Sequence, residues 1–392
     1  MRRILLVLAV LLVGSLGVVT IATADGSGKV SGPVARPVLA PPATLAFAPA
    51  ASAAGIDPRK AATVSVTDGT LEGVTLTAPD GTQVQGEPNA EGTSWSTTQE
   101  LQYGTTYTWG GSATGRDGAV VPVQSSFTTL EPDEIVRGII NIGDDRTVGI
   151  AAPIRIQFDE HIEDRAAVER ALSVETSVPV EGAWGWLPDE GGGSRVDWRP
   201  REYWPAYTDV TVTADLFGVP YGGGHYGAAD VTSSFQIGRA QLVKADASSH
   251  RMVVMRDGEQ VADYPASYGL DSDPQRNTRS GIHVVTEKFT DKRMISENFG
   301  YDLVVKWAVR ISNNGEFIHA NPASLDAQGS ENVSHGCVNL SVANAKEYYD
   351  TALYGDPVEV TGTGVELSAR DGDIWDWTLS WDEWKRLSAL NG

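Results

Sequence analysis

Between residues 51 and 238, turn signals interrupt the chain at intervals of roughly ten residues, a spacing suited to short strands rather than helices. The pieces between turns include "ATVSVTDG", "GVTLTAPDGTQV", "TTYTWGGSATGRDG" and "VVPVQSSFTT", several of them closed by Asp-Gly. Their polarity alternates, so each strand offers one face to a core and the other to water. Stacking two antiparallel sheets buries such faces, and residues 51–129 are expected to form a small β-sandwich. Residues 130–238 repeat the style in "PIRIQFDEHI", "RVDWRP", "DVTVTADL" and "VTSSFQIG", with a short helical insert near "DRAAVERAL". Both segments close on similar phrases, "QSSFTTLEP" and "TSSFQIGRA", which points to two related modules in tandem.

Immunoglobulin-like sandwiches fit that pattern, although no disulfide framework supports them. The whole chain of 392 residues carries one cysteine, Cys337. Its N-terminus places Arg2 and Arg3 before an apolar run over residues 4–22, then Ala22-Thr23-Ala24 in a small-x-small arrangement. That layout is an export signal covering residues 1–24. Cleavage after Ala24 releases a soluble protein, while the same run is long enough to remain as a membrane anchor. Either outcome puts the body of the chain outside the cytoplasm, in the cell envelope. Residues 25–50, rich in Gly, Ala and Pro, read as a linker. The net charge of −21 repels phosphate backbones and argues against a nucleic-acid partner.

The third segment, residues 239–361, is a mostly-β domain of different character. "RMVVMRDGEQVADYPAS" reads as a hairpin, "GIHVV" and "LVVKWAV" as strands, and "RISNNGEFIHA" as a second hairpin turning at Asn314-Gly315. Ser341 can cap a helix through "VANAKEYYDTAL", and "PVEVTG" closes with a strand. Cys337 lies in the loop leading into that helix. An unpaired thiol outside the cytoplasm is an oxidation liability, so its retention argues for chemistry over packing. A thiolate is the nucleophile, and it needs a base or a positive environment.

Of the six histidines, His161 and His225 fall in the sandwiches, and His250 and His283 sit beside strands without special flanks. His319 ends the second strand of the Asn-Gly hairpin, a rigid perch with a side chain near a loop. His335 is close enough to line the site but poorly placed to take the proton. His319 is therefore the expected base. Gly336 permits a sharp turn, and the amides of Gly336 and Cys337 can hold the oxyanion of a tetrahedral intermediate. One Cys and two His form no recognisable metal-ligand pattern, and no cofactor is implied. Base and amides together are expected to make Cys337 reactive well below the roughly 8.5 of a free cysteine.

His319, fourteen intervening residues, then Ser334-His335-Gly336-Cys337-Val338-Asn339 resembles the signature of the L,D-transpeptidase (YkuD) family. The resemblance covers residues 240–361, and the tandem sandwiches and Trp-rich tail (residues 362–392) are similar to those of actinobacterial members. It implies a mainly-β fold and a peptidoglycan cross-linking enzyme, with stem peptides as donor and acceptor and carbapenems as covalent inhibitors. Cys337 would attack the donor tetrapeptide after its third residue and release D-alanine. The resulting thioester would pass to the side-chain amine of a second stem, making a 3→3 cross-link. Carried over by position, Cys337 is the nucleophile and His319 the base, while Gly336 and Cys337 supply oxyanion amides. Ser334, His335 and Asn339 shape the site, and Tyr301 and Met294 resemble residues of a lid over the pocket.

Two departures stand out. Ala320 replaces the serine that often follows the base, so any group orienting His319 has to be a backbone carbonyl. Thr278-Arg279-Ser280-Gly281 stands where relatives often have Thr-Pro-x-Gly. A sortase would need an arginine beside the thiol, which this stretch lacks. A hydrolase or exchange enzyme acting on the same peptides, or a wall-binding protein that has lost activity, are the other readings. The last of these predicts a damaged motif, and every defining position here is intact. The tail tryptophans Trp375, Trp377, Trp381 and Trp384 are expected to pack rather than bind sugars.

Overall fold

The computed structural model describes residues 40–369 and 374–391. The expected export segment and most of the expected linker lie outside the described residues. The end of that linker is not a linker: Thr44–Ala48 is a strand paired antiparallel with Thr63–Thr67. Its residues alternate in exposure, and Leu45 and Phe47 pack on the first core, which is why an Ala/Pro-rich context still gave a strand.

The first body stacks a sheet built from Thr44–Ala48, Thr63–Thr67, Ser94–Thr97 and Gly86–Pro88 against one built around Gly69–Thr77 and Thr106–Gly115. Alternate residues Tyr107, Trp109 and Ala113 point inward, and Trp109 meets Trp95 edge-on at 5.5 Å. The second body has its own core, in which Ile154, Ile156 and Phe158 face Val210, Val212 and Phe235. The helical insert near Ala166 is present as Arg165–Glu169, capped by Asp164.

Strand Gly193–Pro200 of the second body is buried along its whole length, charged residues included. The Trp-rich tail covers its outer face. Arg199 lies 4.7, 5.4 and 5.2 Å from the ring centroids of Trp377, Trp381 and Trp384. The Trp384 indole, fully buried, donates to the Ala183 carbonyl at 2.9 Å. The short helix Trp381–Lys385 is closed by a Ser380–Glu383 capping box. Tail tryptophans therefore pack against a neighbouring body, as expected of them.

The third body joins two sheets. One runs in the order Glu259–Pro265, Arg251–Arg256, Gln241–Asp246, Pro357–Thr361 and Gly281–Val284. The other runs Glu287–Ser296, Tyr301–Arg310, Phe317–Ala320 and Val338–Leu340. Helix Val342–Thr351 starts at Ser341, whose hydroxyl accepts from the Asn344 amide, and buries Ala345 and Tyr348. The second and third bodies are tightly sewn together. The Gly149 and Ala151 amides of the second body donate to the Tyr354 and Gly355 carbonyls of the third, beside the buried Asp356 carboxylate that Arg239 grips with two hydrogen bonds of 2.7 and 2.6 Å. At Gly149 a Cβ would stand 2.3 Å from the Asp356 amide nitrogen, so only glycine allows that approach.

Candidate active site

The expected base, His319, lies on one strand, and the expected nucleophile, Cys337, lies just before a neighbouring one. Phe317–Ala320 and Val338–Leu340 run parallel, with His319 opposite Asn339 and Ile318 opposite Val338. Cys337, one residue before the second strand, thereby opens into the same cavity as His319. That cavity measures about 330 Å³, and Met294, Tyr301, Ser334, His335 and Asn339 also line it. A larger one, about 640 Å³, lies at the seam with the second body, but it contains neither cysteine nor histidine. All the residues picked from the sequence except Gly336 line the smaller cavity, and Gly336 adjoins it in the turn before Cys337.

The turn carrying the thiol is held by hydroxyls. Ser334 donates to the Cys337 carbonyl at 2.6 Å and accepts from the Gly336 amide at 3.1 Å. Thr278 donates to the Gly336 carbonyl at 2.9 Å and accepts from the Gly269 amide at 2.8 Å. Gly336 has φ of +113°, a left-handed conformation that side chains resist. Nearby space is not the constraint there, because a Cβ would find only ordinary contacts. These bonds revise one expectation: the Gly336 amide is engaged by Ser334, which leaves the Cys337 amide as the candidate oxyanion donor of the two. Thr278 was not legible as a site residue, since its role depends on a contact across 58 positions of sequence.

His319 is buried, and its Nδ1 donates to the Ala320 carbonyl at 2.8 Å. A carbonyl only accepts, so the proton sits on Nδ1 and Nε2 keeps its lone pair. The carbonyl does the orienting that a serine hydroxyl does not do here. Burial lowers the imidazole below its ordinary value, with the carbonyl opposing, so the ring is neutral and basic at neutral pH.

The thiol behaves differently from the expectation. Part of Cys337 is open to the cavity, and its sulfur donates to the Gly315 carbonyl at 3.7 Å. Burial nevertheless pushes the thiol up to about 12; a backbone hydrogen bond at Phe317 opposes the shift and the Glu316 carboxylate adds to it. Burial thus favours the neutral form of both groups at rest, the thiol by raising it and the imidazole by lowering it.

Around the thiol, Tyr301 and Met294 belong to one antiparallel hairpin, Glu287–Ser296 with Tyr301–Arg310, in which Met294 pairs with Leu303. Tyr301 and Phe299 pack their rings 5.3 and 4.8 Å from the His335 ring, forming a roof over the turn. His335 itself is largely exposed, and its imidazole is lowered by partial burial and by Arg276. Asn339 is buried, and its side-chain oxygen has no hydrogen-bond partner among the described residues. Behind the thiol, buried Glu316 accepts from the Arg279 amide at 3.0 Å and from Ser312 at 2.6 Å, with His283 at 3.8 Å. Of the other histidines, His161 pairs with Asp189 and His250 with Asn332.

A family model for bacterial Ig domains matches residues 53–220, and one for the L,D-transpeptidase catalytic domain matches residues 240–360. The chain is 55% identical over 353 residues to L,D-transpeptidase 5 of Mycobacterium tuberculosis (strain ATCC 25618 / H37Rv), spanning 89% of this chain and 78% of that one. The chain belongs to the L,D-transpeptidase family. It is also 37% identical over 346 residues to L,D-transpeptidase 2 of M. tuberculosis (strain CDC 1551 / Oshkosh), spanning 86% and 83% of the two chains. The solved structure of LD transpeptidase LdtMt1 in complex with imipenem is 33% identical and covers 59% of this chain and 100% of its own, with a TM-score of 0.49. As an L,D-transpeptidase, the protein combines a mainly-β catalytic domain with Ig-like sandwiches.

Proposed function

We propose that this L,D-transpeptidase works outside the cytoplasm on peptidoglycan stems, with Cys337 as nucleophile and His319 as general base. The observation that carries the reading is the shared cavity, lined both by the only thiol of the chain and by an imidazole whose Nε2 is left unprotonated. As the sulfur attacks the carbonyl of the third residue of a donor tetrapeptide, Nε2 takes the thiol proton. The Cys337 amide stabilises the oxyanion that forms. When the C–N bond breaks, the imidazolium returns that proton to the departing amine, and D-alanine leaves. A thioester remains. The neutral side-chain amine of a second stem then attacks it, gives its proton to His319, and expels the thiolate, which is reprotonated from the imidazolium. Met294 and Tyr301 cover the cavity, and Ser334 and Thr278 hold the turn in register. His335 and Asn339 contact the peptide.

Carbapenems would acylate the same sulfur. The test is intact-protein mass spectrometry after incubation with a carbapenem and, separately, with a tetrapeptide donor. Wild-type protein should gain one covalent adduct, and Cys337→Ala should gain none. An adduct on the alanine variant would show that the assignment is wrong.

A further inference from the structure

The lid hairpin separates two spaces beside the thiol, and they differ in charge. The cavity that holds Cys337 and His319 is lined by no Asp, Glu, Lys or Arg among the described residues. On the other side lies a cleft of about 340 Å³ that shares Met294, Tyr301 and His335 with it and reaches Gly336. That cleft is lined by three cations, Arg279, Lys292 and Arg293, against one carboxylate, Glu316. Two of the cations are matched. Arg293 makes a bidentate pair with Asp302 at 2.8 and 2.6 Å, and Arg279 lies 3.4 Å from Glu316. Lys292 instead holds its ammonium 4.2 Å from the Phe289 ring centroid and 5.9 Å from that of Phe317, and no carboxylate among the described residues pairs with it. In a chain with 51 acidic and 30 basic residues, an ammonium without a carboxylate beside the nucleophile is an exception to the general excess of anions.

We infer that this cleft receives the free α-carboxylate of the D-amino acid that leaves the donor, with Lys292 as its charge partner. The inference rests on the functional reading above. During acylation the acyl part and the leaving part of the donor lie on opposite sides of the attacked carbonyl. The leaving part is a single residue, so its carboxylate stays close to the sulfur, and the cleft reaches Gly336, the residue that precedes Cys337. The uncharged cavity suits the other partner, because the acceptor amine attacks only in its neutral form and no carboxylate there holds it as ammonium. The carboxylate is a spectator in bond making and breaking. Its recognition makes the enzyme selective for stems that end one residue beyond the scissile bond, since a longer stem or an amide presents a neutral group at that place.

The experiment compares a tetrapeptide donor ending in D-alanine with the same peptide ending in D-alaninamide, using full-length protein and following kcat and KM separately. Wild type should prefer the acid by about tenfold or more, chiefly in KM, and the preference should shrink as salt rises from about 50 to 500 mM. Lys292→Gln should bring the acid and amide donors to within about threefold of each other, and Lys292→Arg should restore most of the preference. An unchanged acid-to-amide ratio in Lys292→Gln overturns the inference. So does a wild-type preference that is absent or indifferent to salt, a result that holds even if the variant does not fold. Cys337→Ala run in parallel separates the two claims: turnover by that variant sinks the functional reading, whereas its inactivity beside an unchanged ratio sinks only the role of Lys292.

Discussion

The position of the thiol proton gives the sharpest test of the mechanism. A cysteine pushed up to about 12 by burial has its thiolate fraction at neutral pH lowered by roughly three orders of magnitude. A reagent that captures only preformed thiolate, such as iodoacetamide, should therefore label Cys337 far more slowly at pH 7.5 than it labels a small free thiol. The labelling rate should still be climbing above pH 10, where a free thiol has nearly levelled off. Acylation by a carbapenem should follow a different curve, because there His319 accepts the proton in the same step as attack. Burial lowers the imidazole, so its basic form persists to lower pH, and acylation should be flat across pH 7–9 and fall only below the lowered value. His319→Ala should then cost acylation a factor of roughly 10²–10⁴ and bend its profile toward the alkylation curve. Both rates can be read on one protein by stopped-flow mixing across pH 5–10.5. An alkylation midpoint at or below that of free cysteine would refute the reasoning, because it would mean that a thiolate–imidazolium pair already exists at rest.

Two further outcomes follow from the packing. Trp384→Ala removes a fully buried indole, its bond to Ala183 and one of the three rings around Arg199, and should cost about 3–5 kcal/mol by chemical denaturation. A loss under about 1 kcal/mol would mean that the tail is not anchored on the second body. Gly336→Ala forces a side chain into φ of +113°, at a cost of about 1–3 kcal/mol, and should slow carbapenem acylation by about tenfold or more through the displaced turn. Acylation at the wild-type rate would show that the turn tolerates the change.

The strand pattern was legible wherever one face of a strand meets water. Thr63–Thr67 and Val231–Ile237 alternate in burial just as their sequences alternate in polarity. The reading weakened where tertiary contacts override that alternation. Gly193–Pro200 looks half-exposed in "RVDWRP", yet the tail, nearly two hundred residues later, buries its charged face. The outer lid strand, Glu287–Ser296, has a polar sequence, "EKFTDKRMIS", and is held by its long pairing with Tyr301–Arg310 rather than by an apolar face. The Asn314-Gly315 turn was correctly located but is wider than a two-residue hairpin, since the Ile311 amide bonds to the Glu316 carbonyl.

At the site, the motif disclosed identities and the structure supplied the electrostatics. Cys337 and His319 were singled out because their residue types and spacing are what a thiol nucleophile needs, and they line one cavity. The protonation state was not readable, because it depends on how much protein encloses the sulfur, and enclosure comes from Phe289, Phe317, Met294 and Val305 on three separate strands. A thiol held neutral by its surroundings also changes what the lone cysteine would mean if, as proposed, the protein works outside the cytoplasm. Oxidants act on the thiolate, so a site that keeps the thiolate scarce until a carbonyl arrives protects its nucleophile between turnovers. In the proposed mechanism the cost is that attack must wait for His319 to take the proton. The Nδ1–Ala320 bond prepares the base for that moment by fixing the tautomer in advance.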